Sequence, residues 1–249
     1  MSDIIFKEKK NIAILTLNRE KTLNAWTSKM RKQVCKIFSE LKKKKHIKAI
    51  IITGSGKKAF CSGQDLNEIK NFKSKNVNQW INEFKQVYIA IRSAEIPVIA
   101  AINGVAAGSG FQLALLTDIR VSHAKARFGQ VEINSGVVSI IGPWIIEKIL
   151  GMSKTIELCL TGQLIDGKEA KKNGIVHYLT ERDKVMSMSL KIAKQLSDKP
   201  EKAMKFTKKR IWEMFKKDMN DVFEKAKIYH KESFNSGEPQ KKSKYILKK

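Results

Sequence analysis

Long apolar runs are missing from these 249 residues; the stretch from Ile96 to Ile102 is among the longest. A membrane-spanning helix needs about 20 consecutive apolar residues, so a transmembrane protein is excluded. The start, MSDIIFKEKKN, has no basic segment followed by an apolar run and a small-residue cleavage site. It predicts no secretory signal. Cysteine is sparse: Cys35, Cys61 and Cys159 are scattered, with no CxxC and no Cys/His spacing suited to a metal. That argues against a disulfide framework or zinc site and for a reducing, cytoplasmic setting. Acidic residues are few, 24 against 49 basic ones, for a net charge of +25. Arginine is scarce within the basic set, at 7 of those 49. Nucleic-acid readers lean on the bidentate arginine fork. Lysine spread along the whole chain therefore reads as a surface bias that favours polyanionic small ligands, not as a nucleic-acid footprint.

What is present is globular. Hydrophobic residues make up 42% and charged residues 29%, and a chain of this length can bury a real core. Ile4–Phe6 and Ile12–Leu17 read as a hairpin around the polar KEKKN turn. Ser28 to Leu41 reads as an amphipathic helix, with Met30, Val34, Ile37, Phe38 and Leu41 at helical spacing. Buried-type strands are expected at Ala49–Thr53, Pro97–Ile102 and Ile119–Ser122, with a helix over Val77–Ile91. Ala106 to Leu116 reads as a glycine-rich turn feeding an apolar helix. Beyond Pro143 the pattern turns helical: Trp144–Leu150, Ser153–Thr161, Asp166–Asn173, Asp183–Leu196, Pro200–Phe215 and Asp218–Phe234, then a basic tail. The class is α/β with a helical C-terminal extension, divided as 1–190 and 191–249.

Two segments share one design: buried strand, glycine-bearing turn, apolar helix. They are IIITGSGKKAFCSGQDLNEI (50–69) and IPVIAAINGVAAGSGFQLALLTDI (96–119). Glycine lets a ligand approach the backbone, and the helix start that follows leaves N–H groups unpaired. Such a place suits an anion or a developing oxyanion. If Gln64 and Ser109 each aimed an N–H at one point, they would form a two-donor oxyanion hole. On spacing alone, ordinary strand–turn–helix packing explains the same residues.

Taken together, LNREKTLNAW, ITGSGKKAFCSGQDL, PVIAAINGVAAGSGFQLALLTDIRVSHAKARFGQVEI and LTGQLIDGKEAKKNGIVHYL resemble the signature segments of the crotonase (enoyl-CoA hydratase/isomerase) superfamily. The resemblance covers most of the chain. It implies a spiral of ββα turns, a C-terminal helical trimerisation region, and trimers that often pair into hexamers. It implies an acyl-CoA thioester as substrate, with CoA arriving as part of it and no separate cofactor or metal. The thioester oxygen would be held by the amides of Gln64 and Ser109. CoA would be clamped by Lys21, Thr22 and Leu23 and by Ser62, Asp65 and Leu66, with Asp65 also suited to cap the next helix. Where many relatives carry two glutamates, this chain has Gln112 and Glu132. Glutamine can hold a water or substrate but cannot take a proton, which leaves Glu132 as the acid/base.

Other departures matter. Val138 to Gly142 replaces the usual glycine-rich stretch with two isoleucines, implying a narrower or drier acyl pocket. Asn67 stands where a lysine often meets the CoA phosphates, so Lys241–Lys249 is an alternative source of charge, or else a solvated tail. The four histidines, His46, His123, His177 and His230, are scattered and read as structural or surface residues. Trp26, Trp80 and Trp212 read as core on helical faces, and Trp144 as core or acyl-pocket lining. The expected activity is hydration or isomerisation of an enoyl-CoA. Decarboxylation of a malonyl-type thioester and a non-catalytic CoA- or RNA-binding role are the alternatives.

Overall fold

A computed structural model describes residues 2–248. The chain opens with the hairpin β1 (Ile4–Lys9) and β2 (Ile12–Leu17). The turn is tighter than the five-residue KEKKN reading: β1 runs on to Lys9, and Lys10 takes a positive φ of 55° to reverse the chain. Helix α1 (Ser28–Leu41) starts where the Thr27 hydroxyl accepts the Met30 N–H, and it buries Met30, Val34, Phe38 and Leu41.

Three ββα turns follow. The first is β3 (Ala49–Gly54), β4 (Ala59–Cys61), then α2 (Leu66–Ile69) and α3 (Val77–Arg92). The second is β5 (Val98–Ala101), β6 (Val105–Ala107) and α4 (Ser109–Leu116). The third is β7 (Ile119–His123), β8 (Arg127–Gly129) and α5 (Ile141–Thr161). Gly151 is non-helical inside α5, so the segment is two helices across a kink, as the two expected helices on either side of it anticipate. After β9 (Ile165–Asp166), α6 (Gly167–Lys172) and β10 (Tyr178–Thr180) come α7 (Val185–Ser197) and α8 (Glu201–Phe215), then α9 (Met219–Ser236) and α10 (Glu238–Ile246).

The strands sort into two sheets. The larger has the order β1-β2-β3-β5-β7-β10, parallel except for the β1–β2 hairpin. Its central strands are buried along their whole length, as parallel strands covered on both faces must be. The smaller has the order β4-β6-β8-β9, with β4, β6 and β8 parallel. Helix α4 is apolar all round and buried from Gly110 to Leu116, so it sits inside the molecule. Helix α7 packs on β3, β5 and β7, and a division between residues 190 and 191 falls inside it.

Three expectations change. The residue pattern did not mark the small sheet, whose strands supply the second β of the ββα turns that the resemblance implies. Trp26 is not on a helix; it pairs by an isolated bridge with Gln64. The basic C-terminal stretch is not a loose tail: it forms α10, which buries Pro239 and Ser243 and packs on α2, with Lys249 outside the described residues. Among the described residues no helix is long and apolar enough to cross a membrane.

Candidate active site

The small sheet positions the site. Its three neighbouring parallel strands end side by side, and each hands on to a loop with one residue of interest. β4 leads to Ser62-Gly63-Gln64-Asp65, β6 to Gly108-Ser109, and β8 to Gln130-Val131-Glu132. The Gly108 N–H donates to the Gly129 carbonyl at 2.9 Å, tying the second loop to the third. Residues distant in sequence meet because successive spiral turns stack their strand ends.

Two glycines make the approach possible. Gly63 has φ +103°, and a Cβ there would lie 2.9 Å from the Ala107 carbonyl oxygen and 3.6 Å from the Ser109 nitrogen. Gly108 has φ +53°, and a Cβ there would lie 3.1 Å from Glu132 Oε1. Both conformations disfavour any other residue.

The bridge with Trp26 orients the first loop. Trp26 donates to the Gly63 carbonyl at 2.8 Å and accepts from the Asp65 N–H at 3.0 Å. A parallel bridge of that pattern leaves the N–H of the residue between, Gln64, on the side away from Trp26. Among the described residues neither the Gln64 amide nor the Ser109 amide has an acceptor. Ser109 is the first residue of α4, where an N–H has no partner in its own helix.

Glu132 faces these loops. Its Oε1 accepts from Gln112 Nε2 at 3.1 Å, and Gln112 Oε1 accepts from the Tyr88 hydroxyl at 2.7 Å. Its Oε2 is shut off from solvent and has no partner among the described residues. Burial pushes the carboxyl up to about 7, against hydrogen bonds that favour its charged form. Gln112 is thus a buried amide joining a tyrosine to the acid.

A cavity of about 490 Å³ runs past these groups, lined by every residue expected to touch substrate except Gln112: Lys21, Thr22 and Leu23, then Ser62, Gln64, Asp65 and Leu66, then Ser109 and Glu132. Ser62 N donates to the Leu23 carbonyl at 3.0 Å, which stitches the Lys21–Leu23 segment to the Ser62–Leu66 segment. Asp65 caps α2 by accepting the Asn67 N–H and pairs with Arg19 at 2.7 Å. Ile246 at the end of α10 and Leu247 close another part of the wall. Gln112 lies instead on a smaller neighbouring space that shares Gln64 and Glu132 with the large one. Ile140 and Ile141 line that small space; Trp144 does not, and packs on Phe215 and Tyr88 as core.

Sequence reasoning missed Arg31. It is 1% exposed, donates to Gln64 Oε1 at 2.9 Å and pairs with Glu83 at 3.0 Å. Gln64 Nε2 in turn donates to Glu68 at 2.8 Å. The signal was an arginine in a lysine-rich chain, at a place where a planar fork is needed. His230 was read as structural or surface; it is 5% exposed and lines the small space.

Residues 7–247 match the family model for enoyl-CoA hydratase/isomerase. The chain is 31% identical over 212 residues to a short-chain-enoyl-CoA hydratase of Clostridium acetobutylicum, covering 85% of this chain and 81% of that one. It is 28% identical to a crotonyl-CoA hydratase of Syntrophomonas wolfei, covering 83% and 80%. Its fold matches an enoyl-CoA hydratase/isomerase from Mycobacterium paratuberculosis at a TM-score of 0.90, with 23% identity and 98% of each chain covered. An enoyl-CoA hydratase from Bacillus anthracis superposes at 0.82, with 25% identity, over 92% and 90%. A fold of stacked ββα turns that matches these structures over nearly its whole length is that of the crotonase class. The chain belongs to the enoyl-CoA hydratase/isomerase family and is an enzyme of that type.

Proposed function

We propose that the protein hydrates a short enoyl-CoA, with CoA carried in as part of the substrate and no further cofactor. The thioester lies in the large cavity, clamped at Lys21–Leu23 and Ser62–Leu66, with its carbonyl oxygen between the amides of Gln64 and Ser109. Water adds to the β-carbon while Glu132 takes its proton. The electrons of the double bond move to the thioester oxygen as an enolate, and protonated Glu132 returns the proton at the α-carbon. Each amide aimed at the oxyanion lowers the barrier by roughly 3–4 kcal/mol. The two relatives compared by sequence above are both named hydratases, which supports hydration over isomerisation.

The observation that carries this reading is the meeting of three strand ends: two amides without acceptors beside one carboxylate with an unpartnered oxygen. We also propose assembly into trimers or hexamers. Met152, Ile156 and Leu160 form an exposed apolar stripe at helical spacing on α5, the kind of surface that a second copy would cover.

A mass-spectrometric panel of acyl-CoA thioesters in deuterated water tests the chemistry. Hydration adds the mass of water, isomerisation adds deuterium alone, and decarboxylation loses CO2. Deuterium without water would replace hydration by isomerisation, and CoA binding without turnover would make the protein a non-catalytic relative.

A further inference from the structure

The small space beyond Glu132 measures about 50 Å³. A single water needs roughly 10–15 Å³ of such room, so the space holds a few waters or a short acyl group and no long alkyl chain. Its far wall is aromatic and aliphatic: Trp80 and Phe84 from α3, Ile140 and Ile141 before and at the start of α5. One polar ring interrupts that wall. His230 of α9 stands edge-on to Trp80 at 5.0 Å and lies nearly parallel to Phe234 at 6.4 Å.

Most other polar side chains around the space are already engaged. Trp80 Nε1 donates to Gln64 Oε1 at 3.4 Å. Ser139 Oγ accepts from Gln130 at 2.8 Å, and Gln112 bridges Tyr88 and Glu132. Glu132 Oε2 is free but belongs to the reaction. His230 Nδ1 is buried and has no partner among the described residues. An imidazole so enclosed stays neutral, because burial pushes it down to about 4. A neutral ring offers one donor and one acceptor, and leaving either unpaired in an interior costs about 1–3 kcal/mol. A purely structural ring here would be better replaced by phenylalanine, which fills the same aromatic contacts without that cost.

We propose that His230 sets acyl specificity: the site takes a short acyl-CoA whose distal end carries a hydroxyl or another uncharged hydrogen-bonding group, and Nδ1 is its partner. This rests on the assignment of the cavity as an enoyl thioester site. The surrounding rings disfavour a distal carboxylate, which would have to be desolvated with no cation among the described residues that line the space.

Turnover of crotonyl-CoA and of its γ-hydroxylated analogue separates the two readings. The native enzyme is expected to favour the hydroxylated thioester at least tenfold in kcat/KM. His230→Leu should lose that preference while keeping activity on crotonyl-CoA. His230→Asn, which places a polar atom near the Nδ1 position, should keep it, and His230→Gln, whose amide reaches the Nε2 position, should not. The Asn and Gln variants carry the test alone if the Leu variant does not fold. Equal turnover of the two thioesters by the native enzyme, or an unchanged ratio in His230→Leu or His230→Gln, overturns the role of His230 and leaves the hydratase assignment standing. No turnover of either thioester, or of any other in the panel, overturns both.

Discussion

Gln112 and Glu132 share a hydrogen bond of 3.1 Å from the amide Nε2 to Oε1, and under the proposed mechanism this bond fixes which carboxylate oxygen is left to react. Gln112 cannot turn its amide round, because its Oε1 is held by the Tyr88 hydroxyl at 2.7 Å. Oε2 is left without a partner among the described residues, beside Gly108. A glutamate at position 112 would set two carboxylates a hydrogen bond apart, and they could not both ionise. The glutamine keeps one acid/base instead of a coupled pair.

That single acid titrates in a useful range. With its carboxyl pushed up to about 7, Glu132 serves as a base only once deprotonated, so kcat/KM should climb with pH and level off above about 7. Glu132→Gln should cut turnover by about 10²–10⁴-fold. The same substitution has a signature in stability. A folded pKa raised from 4.5 to about 7 means that the folded chain holds this proton more tightly than the unfolded one. The associated stability is complete below pH 4.5 and drains away as pH rises to 7. An amide does not ionise. Urea denaturation should therefore show the variant gaining on the native protein across that window, by up to about 3 kcal/mol. A difference that stays flat with pH would place the carboxyl in a solvated position.

Much of this site was legible in the sequence, for a physical reason. Gly63 and Gly108 occupy backbone conformations that other residues avoid, and such glycines leave a visible mark beside the buried strands they follow. The limits of α1 were equally readable, because Thr27 caps it and its apolar residues repeat at helical spacing. The small sheet was not. β4, β6 and β8 have three residues each, too short for any alternation, and they exist only because the larger sheet brings them together. Helix α10 was read as a tail because its sequence, EPQKKSKYI, is mostly polar; it buries itself through Pro239 and Ser243. The role of His230 depends on α9 crossing α3, a tertiary contact that no local pattern announces.

Arg31 positions without touching substrate. Its fork reaches Gln64 and Glu83 at once, while its plane covers Phe84 at 4.6 Å. Arg31→Met would take from Glu83 its buried partner and leave it Ser28 at 2.8 Å and Lys32 at 3.5 Å. Breaking one side of a buried pair costs about 3–5 kcal/mol; Glu83 is 11% exposed, and a loss near the lower end is expected in urea denaturation. Arg31→Lys separates structure from positioning. It keeps the charge and most of the stability but cannot bond Gln64 and Glu83 together. kcat should fall in both variants with KM little changed. A lysine variant with native kcat would show that the Gln64 loop holds its place unaided.

Gly108 and Gly174 offer a contrast that isolates the crowding at the acid. Both have positive φ, +53° and +78°, so alanine at either pays for an unfavourable backbone, by about 1–3 kcal/mol. At Gly174 nothing lies within 4 Å of the added carbon, whereas at Gly108 it meets Glu132 Oε1 at 3.1 Å and the carboxyl carbon at 3.2 Å. Gly174→Ala should lower thermal stability and leave turnover alone. Gly108→Ala should lose comparable stability and in addition cut kcat about a hundredfold, because small displacements of a reacting group are that costly. Parallel melting curves and kinetics on the two variants check this. Equal activity in both would mean that the carboxylate retreats freely from its contact with Gly108, and that the closeness of the second and third loops plays no part in placing the acid.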